Sequence, residues 1–111
     1  GTLWVSGGWD NASTPQNGIV TYDSEQNYWS RWGSLLQSRG HHCMVAVGDV
    51  VVVAGGVEEF GSTTAPIPST EVLHAGSGPH VPVQGEDMIT PRIQMGCAAM
   101  NGLVWAAGGT D

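Results

Sequence analysis

The stretch VVVVAGG, residues 50–56, is a run of small and branched apolar residues that ends on two adjacent glycines. The chain carries two closely similar stretches, LWVSGG at residues 3–8 and LVWAAGG at residues 103–109. The three glycine pairs are separated by 48 and 53 residues. A spacing that recurs at about 50 residues indicates a repeat architecture, in which neighbouring units cover one another's apolar faces.

The similarity between the units extends beyond the glycines. SRGHHCMVAVGDVVVVAGG (residues 38–56) aligns with PRIQMGCAAMNGLVWAAGG (residues 91–109) without a gap, and Arg39 falls on Arg92. In each unit an inner apolar strand turns at GD or NG, which are hairpin signals, and a second strand then runs into the glycine pair. Two further strands follow. No window of about eleven residues shows the apolar period of a helix, so we predict an all-β fold.

The uninterrupted apolar character of residues 50–53 predicts how the sheets are arranged. A strand with one wet face alternates apolar and polar residues, whereas a continuous apolar strand is covered on both faces. Sheets stacked face to face around an axis provide that cover. The glycine pair fits the same crowding, because a strand that leaves such a stack must turn where a Cβ would clash or where φ is positive.

These features, together with a Tyr-Asp dipeptide that precedes a Trp and an Arg followed three residues later by a His, resemble the kelch repeat. The motif residues are Gly7, Gly8, Tyr22, Asp23, Trp29, Arg39, His42, Gly55, Gly56, Arg92, Gly108 and Gly109. The resemblance implies a β-propeller with one four-stranded antiparallel blade per repeat, about six blades in a ring, and ligands that meet the loops on its faces. The second unit departs from the motif, since His74 and Ala75 replace Tyr-Asp and Met95 replaces the His.

The order of the strands predicts one complete blade and two partial ones. Residues 1–39 supply the second to fourth strands of one blade, residues 40–87 a whole blade, and residues 88–111 the first two strands of the next. Each end then leaves an apolar sheet face bare, so the remaining blades of the same propeller are expected partners. A partial propeller that assembles with itself is the alternative.

Two loops, residues 9–18 and 57–69, both follow second strands and so emerge on one face of neighbouring blades. The candidate partner-binding residues in them are Trp9, Asp10, Glu58, Glu59 and Phe60. Acidic and aromatic side chains on a loop longer than a hairpin needs suit a binding surface for another protein or a glycan. A polar insertion without a role is the alternative for the second loop.

No constellation of residues predicts catalysis, a metal site or a cofactor. The adjacent pairs to consider are Glu58 with Glu59, Glu86 with Asp87, and His41 with His42. Neighbours on a strand point to opposite faces, and a pair in a loop fixes no geometry. His74 and His80 have no cysteine or carboxylate at ligand spacing. We therefore predict a non-catalytic interaction scaffold.

The alternative function is a portion of an extracellular propeller enzyme, similar to galactose oxidase, or of a glycan-binding protein, with the active site outside this segment. Copper oxidases with kelch-like propellers need tyrosine ligands and a Cys–Tyr crosslink, and Tyr22 and Tyr28 lack that context. Bound copper in the full-length protein would favour the enzyme.

Charge and hydropathy exclude two classes of partner. Lysine is absent, three arginines are the basic residues, and the formal net charge is −7 over 111 residues. Because Lys and Arg supply most of the affinity for nucleic acids, no nucleic-acid partner is expected. No apolar run approaches about 18 residues, so no membrane insertion is expected, and no segment has the form of a signal peptide.

A glycosylation sequon and the absence of lysine predict an extracellular or secreted location, with the cytoplasm as the alternative. The sequon is NAS at residues 11–13, and it predicts a glycan on Asn11.

Two tryptophans and two cysteines complete the predictions. Trp4 and Trp105 lie on second strands and are expected to pack between blades. Cys43 and Cys97 lie on inner strands of adjacent blades with opposite parity, so they either face each other or point apart. A disulfide needs Cα atoms within about 7 Å, whereas packed sheets lie about 10 Å apart, so free thiols are favoured over a bridge.

Overall fold

The computed structural model of the chain describes residues 2–12, 14, 16–58, 66–76 and 79–109, and these contain nine β-strands and no helix. The strands are β1 (Thr2–Ser6), β2 (Gly18–Asp23), β3 (Tyr28–Ser34), β4 (Cys43–Val47), β5 (Val50–Ala54), β6 (Thr70–His74), β7 (Val83–Gln84), β8 (Gly96–Met100) and β9 (Leu103–Ala107). Each strand is short, as expected where Gly, Asn and Asp turns recur.

The strands form three antiparallel sheets in chain order. Sheet 1 contains β1-β2-β3, sheet 2 contains β4-β5-β6-β7, and sheet 3 contains β8-β9. Asn101 and Gly102 join β8 to β9 with φ of 56° and 75°, the two positive values that a tight hairpin turn requires. The all-β prediction is confirmed, and a four-stranded sheet between a three-stranded and a two-stranded one is consistent with one complete and two partial blades of a kelch-like propeller.

The core lies between sheets 1 and 2. Its fully or nearly fully buried members are Ile19, Trp32, Leu35, Val51, Val53 and Leu73, with Trp4 and Met44 packed against them. Trp4 and Trp32 meet edge to face with ring centroids 5.6 Å apart. The opposite face of β5 points toward sheet 3, where Ala54 is buried beside its cross-strand neighbour Cys43. The continuous apolar stretch therefore has protein on both faces, because β5 lies in the middle sheet.

Trp105 is 52% exposed among the described sheets, so its packing between blades stays a prediction. Trp105 pairs with Ala98 on the face of sheet 3 that points away from sheet 2, and no sheet of the described ranges covers that face. Met100 and Leu103, on the same face, are also more than half exposed. Burial of Trp105 requires a neighbouring sheet.

The glycine pairs connect each sheet to the next. The Gly8 N–H donates to the Arg39 carbonyl at 2.7 Å, and the Gly56 N–H donates to the Arg92 carbonyl at 2.9 Å. Each arginine side chain also forms a hydrogen bond within its own sheet. Arg39 Nη1 donates to Gly55 O, and Arg92 Nη1 donates to Gly108 O, in both cases 16 residues further along the chain. We call this arrangement the glycine–arginine joint. Gly56 has φ of 89° and a Cβ there would collide with Gly40 O, so neither the turn nor the close approach tolerates a side chain.

The two cysteines face each other across sheets 2 and 3, and the structure joins them in a disulfide. Their Cα atoms are 6.2 Å apart, which lies within the range of about 4.4–6.8 Å typical of disulfides. The argument from a sheet spacing of about 10 Å does not apply here, because β4 and β8 are the innermost strands and the sheets converge there. The prediction of two free thiols is therefore wrong, because the structure contains the disulfide.

Candidate protein-binding face

One end of the sheets gathers the loops that sequence analysis singled out. The end of β1, the start of β4 and the end of β5 lie together, because β4 and β5 are antiparallel and the joint docks β1 against them. We define the loop face as residues 7–12, 35–42 and 55–58. Gly40 and Val57 exchange two backbone hydrogen bonds of 2.8 and 2.9 Å, which fix the middle of this face. Neighbouring sheets therefore present one continuous surface.

Trp9 crosses from sheet 1 onto sheet 2. Its ring lies against Gly40, where even a methyl group would collide with it, and it meets the ring of His41 edge to face with centroids 4.9 Å apart. Its Nε1 donates to the Glu58 backbone oxygen at 3.4 Å. The structure thus brings together Trp9 and Glu58, two of the predicted binding residues, and adds His41, which the sequence analysis weighed only as a metal ligand.

Asp10 shapes its own loop. Its Oδ1 accepts hydrogen bonds from the backbone N–H groups of Ala12 at 2.9 Å and Thr14 at 3.0 Å. These backbone donors, Thr14 first, lower the pKa of the Asp10 carboxyl below its ordinary value, so the group is ionised at neutral pH. Asp10 is exposed and does not contact Trp9 or Glu58 in any hydrogen bond of the described part of the chain. It contributes negative charge to the rim of the loop face.

Three other predicted positions fall on or beside this loop region. Glu59 and Phe60 lie outside the described residues, so their part in the loop face stays a prediction. Asn11 is exposed in the turn after Asp10, and Ser13 of its sequon lies outside the described residues.

His42 is a structural residue between sheets 1 and 2. Its Nε2 shares a hydrogen bond of 3.0 Å with Ser6 Oγ, and its Nδ1 is buried without a partner among the residues described. Burial, followed by the positive charge of Arg39 and of His41, lowers the pKa of His42 to about 4. The ring is therefore neutral at physiological pH, which suits packing rather than ligand binding.

Arg39 is a buried residue of the loop-face segment 35–42, and it is the centre of a polar network that its position in the motif does not predict. Its Nη1 donates to Gly55 O and Ser69 O, and its Nη2 donates to Ser69 Oγ and Glu71 Oε2, at 2.9–3.0 Å. Glu71, in β6, also accepts hydrogen bonds from the backbone N–H groups of residues 36 and 37. The network ties the segment before β4 to β6, and so holds the loop face in place.

The other motif and candidate residues lie elsewhere. Tyr22 and Trp29 are cross-strand partners with ring centroids 5.0 Å apart on the outer side of sheet 1. His74 lines a cavity of about 460 Å³ at the end of sheet 2 opposite the loop face, and His80 stacks on Trp32 with centroids 4.8 Å apart. Within the described ranges no three His, Cys, Asp or Glu residues are grouped to hold a metal ion, and no helix could span a membrane.

Comparison with known proteins supports a kelch-like family. The chain is 28% identical to beta-scruin of Limulus polyphemus over 120 aligned residues and 25% identical to alpha-scruin of the same animal over 113. The alignments cover 98% and 96% of this chain, and the chain spans about 12% of the length of each scruin. No family model matches the chain.

This similarity corrects the predicted location. The scruins are cytoplasmic actin-bundling proteins, which contradicts an extracellular or secreted location, and nothing in the comparison supports a glycoprotein. The prediction of an extracellular location rested on a sequon and on composition. A three-residue sequon arises by chance, and a lack of lysine does not identify a compartment.

Proposed function

We propose that this chain is part of a kelch-like propeller that binds another protein through the loop face, without catalysis. The observation that carries the proposal is the position of Trp9. A loop residue of sheet 1 is fixed across sheet 2 by contacts with Gly40 and His41 and by a hydrogen bond to Glu58. The two sheets therefore offer a partner one preformed surface.

The composition of the loop face supports a protein partner. The partly exposed Trp9 belongs to a residue type that is enriched at the centres of protein interfaces, and the exposed His41 beside it adds hydrogen-bonding groups. Asp10 and Glu58 add exposed acidic side chains at its rim, in a chain whose formal net charge is −7. A partner with a complementary basic surface would therefore associate faster at low ionic strength.

The similarity to the scruins makes filamentous actin the first partner to test. We propose to sediment actin filaments with the chain and with two tryptophan variants. Trp9→Ala removes the centre of the loop face and is expected to weaken binding at least about tenfold, as loss of a buried interface tryptophan does.

Trp29→Ala is the matched control, because Trp29 is a 53% exposed tryptophan on the outer side of sheet 1, away from the loop face. It is expected to leave binding unchanged. Thermal unfolding of both variants shows that they remain folded. Equal binding of filaments by the two variants would refute a role for the loop face.

A further inference from the structure

The disulfide lies where the loop face joins sheet 2. Cys43 begins β4 directly after loop-face residues 35–42. Its cross-strand neighbour Ala54 ends β5 directly before loop-face residues 55–58. Both side chains are buried, and the bond from Cys43 to Cys97 in β8 fixes them against sheet 3. The bridge therefore restrains both segments of the loop face at the point where they enter sheet 2.

The segment that leads into β8 contacts the same two parts of the loop face. The Gln94 N–H donates to His41 O at 2.9 Å, and the Gly56 N–H donates to Arg92 O at 2.9 Å. We call these two hydrogen bonds and the disulfide the sheet 3 clamp. Because the disulfide is its one covalent member, reduction leaves two backbone hydrogen bonds to hold the loop face against sheet 3.

His41 is the loop-face residue that depends most on this clamp. Its backbone is left-handed, with φ of 53°, and a residue other than glycine keeps this conformation where its surroundings fix it. Those surroundings include the hydrogen bond from Gln94 and the ring of Trp9, whose centroid is 4.9 Å from that of His41. A looser clamp removes one of these restraints, so His41 can leave the ring of Trp9.

The bridge can be opened by exchange with a low-molecular-weight thiol such as glutathione. Cys97 is partly exposed and Cys43 is 6% exposed, so the thiolate attacks the Cys97 sulfur. The protein S–S bond breaks, and Cys43 leaves as a thiolate that takes up a proton. A second thiolate attacks the mixed disulfide and releases Cys97, so two small thiols are oxidised to one disulfide as the protein disulfide is reduced. The scruins are cytoplasmic, and disulfides of cytoplasmic proteins are usually transient or redox-sensing.

We propose that the bridge between Cys43 and Cys97 is a redox switch of the loop face. In the oxidised chain the sheet 3 clamp fixes His41 against Trp9, and the surface is preformed for its protein partner. In the reduced chain His41 leaves Trp9, and the partner must order the surface as it binds, which weakens binding. This inference rests on the proposed function, because it concerns the regulation of the same loop face.

The first arm of the test measures the loop face without a partner. It compares the oxidised chain, the chain reduced with dithiothreitol, and Cys97→Ser by NMR. The nuclear Overhauser effect between the rings of Trp9 and His41 is expected in the oxidised chain and is expected to disappear in the other two. The amide shifts of β2 and β3 should stay unchanged, since sheet 1 remains folded. Cys97→Ser is the control for the reductant, which should not alter its spectrum.

The second arm measures sedimentation with actin filaments. The oxidised chain is expected to bind at least about tenfold more tightly than the reduced chain and Cys97→Ser. Equal binding by the oxidised and reduced chains, with weaker binding by Trp9→Ala, would overturn the switch and leave the proposed function standing.

Two results of the first arm also overturn the proposal. One is a contact between Trp9 and His41 that survives reduction. The other is a collapse of the amide shifts of β2 and β3 on reduction, since the bridge would then hold the whole chain and not the loop face. If neither redox form binds filaments, actin is the wrong partner, and the contact between Trp9 and His41 alone decides the switch.

Discussion

Arg39 and Glu71 form an ion pair of 2.9 Å in which the two side chains are 0% and 1% exposed. The carboxylate also accepts hydrogen bonds from the backbone N–H groups of Leu36 at 2.7 Å and Gln37 at 3.2 Å, so its charge is well compensated. Burial lowers the pKa of the Arg39 guanidinium, and the charge of Glu71 opposes that shift. The guanidinium remains charged, so the stability of sheet 2 depends on its partner.

Glu71→Ala leaves the buried guanidinium of Arg39 without its counter-charge and two backbone N–H groups without an acceptor. Removal of one member of a buried pair costs about 3–5 kcal/mol of unfolding free energy. Urea unfolding measures the loss. Glu86→Ala is the control, because the Glu86 side chain is exposed, and it should change stability by less than about 0.5 kcal/mol. Equal losses in the two variants would contradict the structural role of the pair.

Gly56→Ala and Gly8→Ala distinguish two reasons why a position requires glycine, namely a positive φ and a lack of space for a Cβ atom. Their φ angles are nearly equal, at 89° and 88°. A Cβ on Gly8 meets no atom within 4 Å, whereas one on Gly56 collides with Gly40 O and lies 2.9 Å from His42 Cβ. Gly8→Ala should therefore cost about 1–2 kcal/mol of unfolding free energy for the left-handed backbone alone. Gly56→Ala should cost about 1–3 kcal/mol more, since the segment of Gly40 and His42 before β4 must also shift. Matching losses in chemical denaturation would show that crowding around Gly56 is unimportant.

His42 makes the stability of the chain depend on pH. Its pKa is about 4 in the folded chain and about 6.5 when unfolded, so the unfolded state binds more protons between these values. Stability is therefore expected to fall by about 3 kcal/mol as the pH decreases from 6.5 to 4, with little further change from this group below that. Urea midpoints measured across this range test the prediction. His42→Gln should flatten the profile, and an unchanged profile in that variant would assign the dependence to other groups.

Cys43 and Cys97 tie sheet 3 to sheet 2 across 54 residues of sequence. A bridge that closes a loop of this length should stabilise the oxidised chain by about 4 kcal/mol relative to the reduced chain. Non-reducing peptide mass spectrometry of air-oxidised protein should find a peptide that links the two cysteines. Cytoplasmic proteins seldom keep disulfides, so the same measurement on protein alkylated inside cells reports the compartment. Free thiols after air oxidation would contradict the bridge that the structure contains.

The repeat and the sheet order could be predicted because their signals are local. Each glycine pair follows an apolar strand directly, and the turn residues at positions 48–49 and 101–102 are adjacent in sequence. The partner of Arg39 could not be predicted in the same way. Glu71 lies 32 residues further on, in a strand where a glutamate beside a threonine is typical of an exposed position. Its burial depends on the register of β6 with β5, which a single sequence does not specify.

The loop face was predictable only in part, for a related reason. Trp9 and Glu58 were identified because both follow second strands, which places them at the same end of neighbouring sheets. The contact of Trp9 with His41 depends on the distance between two sheets and on the left-handed backbone of His41, which has φ of 53°. No pattern in the sequence predicts the distance between the two sheets or the φ angle of His41. The exposure of Trp105 has a similar origin, since the burial of a sheet face depends on the next sheet.

The glycine–arginine joint has a direction. The glycine N–H always belongs to the earlier sheet and the arginine carbonyl to the later one, as in Gly8 with Arg39 and Gly56 with Arg92. Such an interface is heterologous, because the two surfaces it brings together differ, so a two-fold axis cannot generate it between identical copies. Successive joints can only add head to tail. The rotation between one sheet and the next then decides whether such a series closes into a ring or continues as an open superhelix.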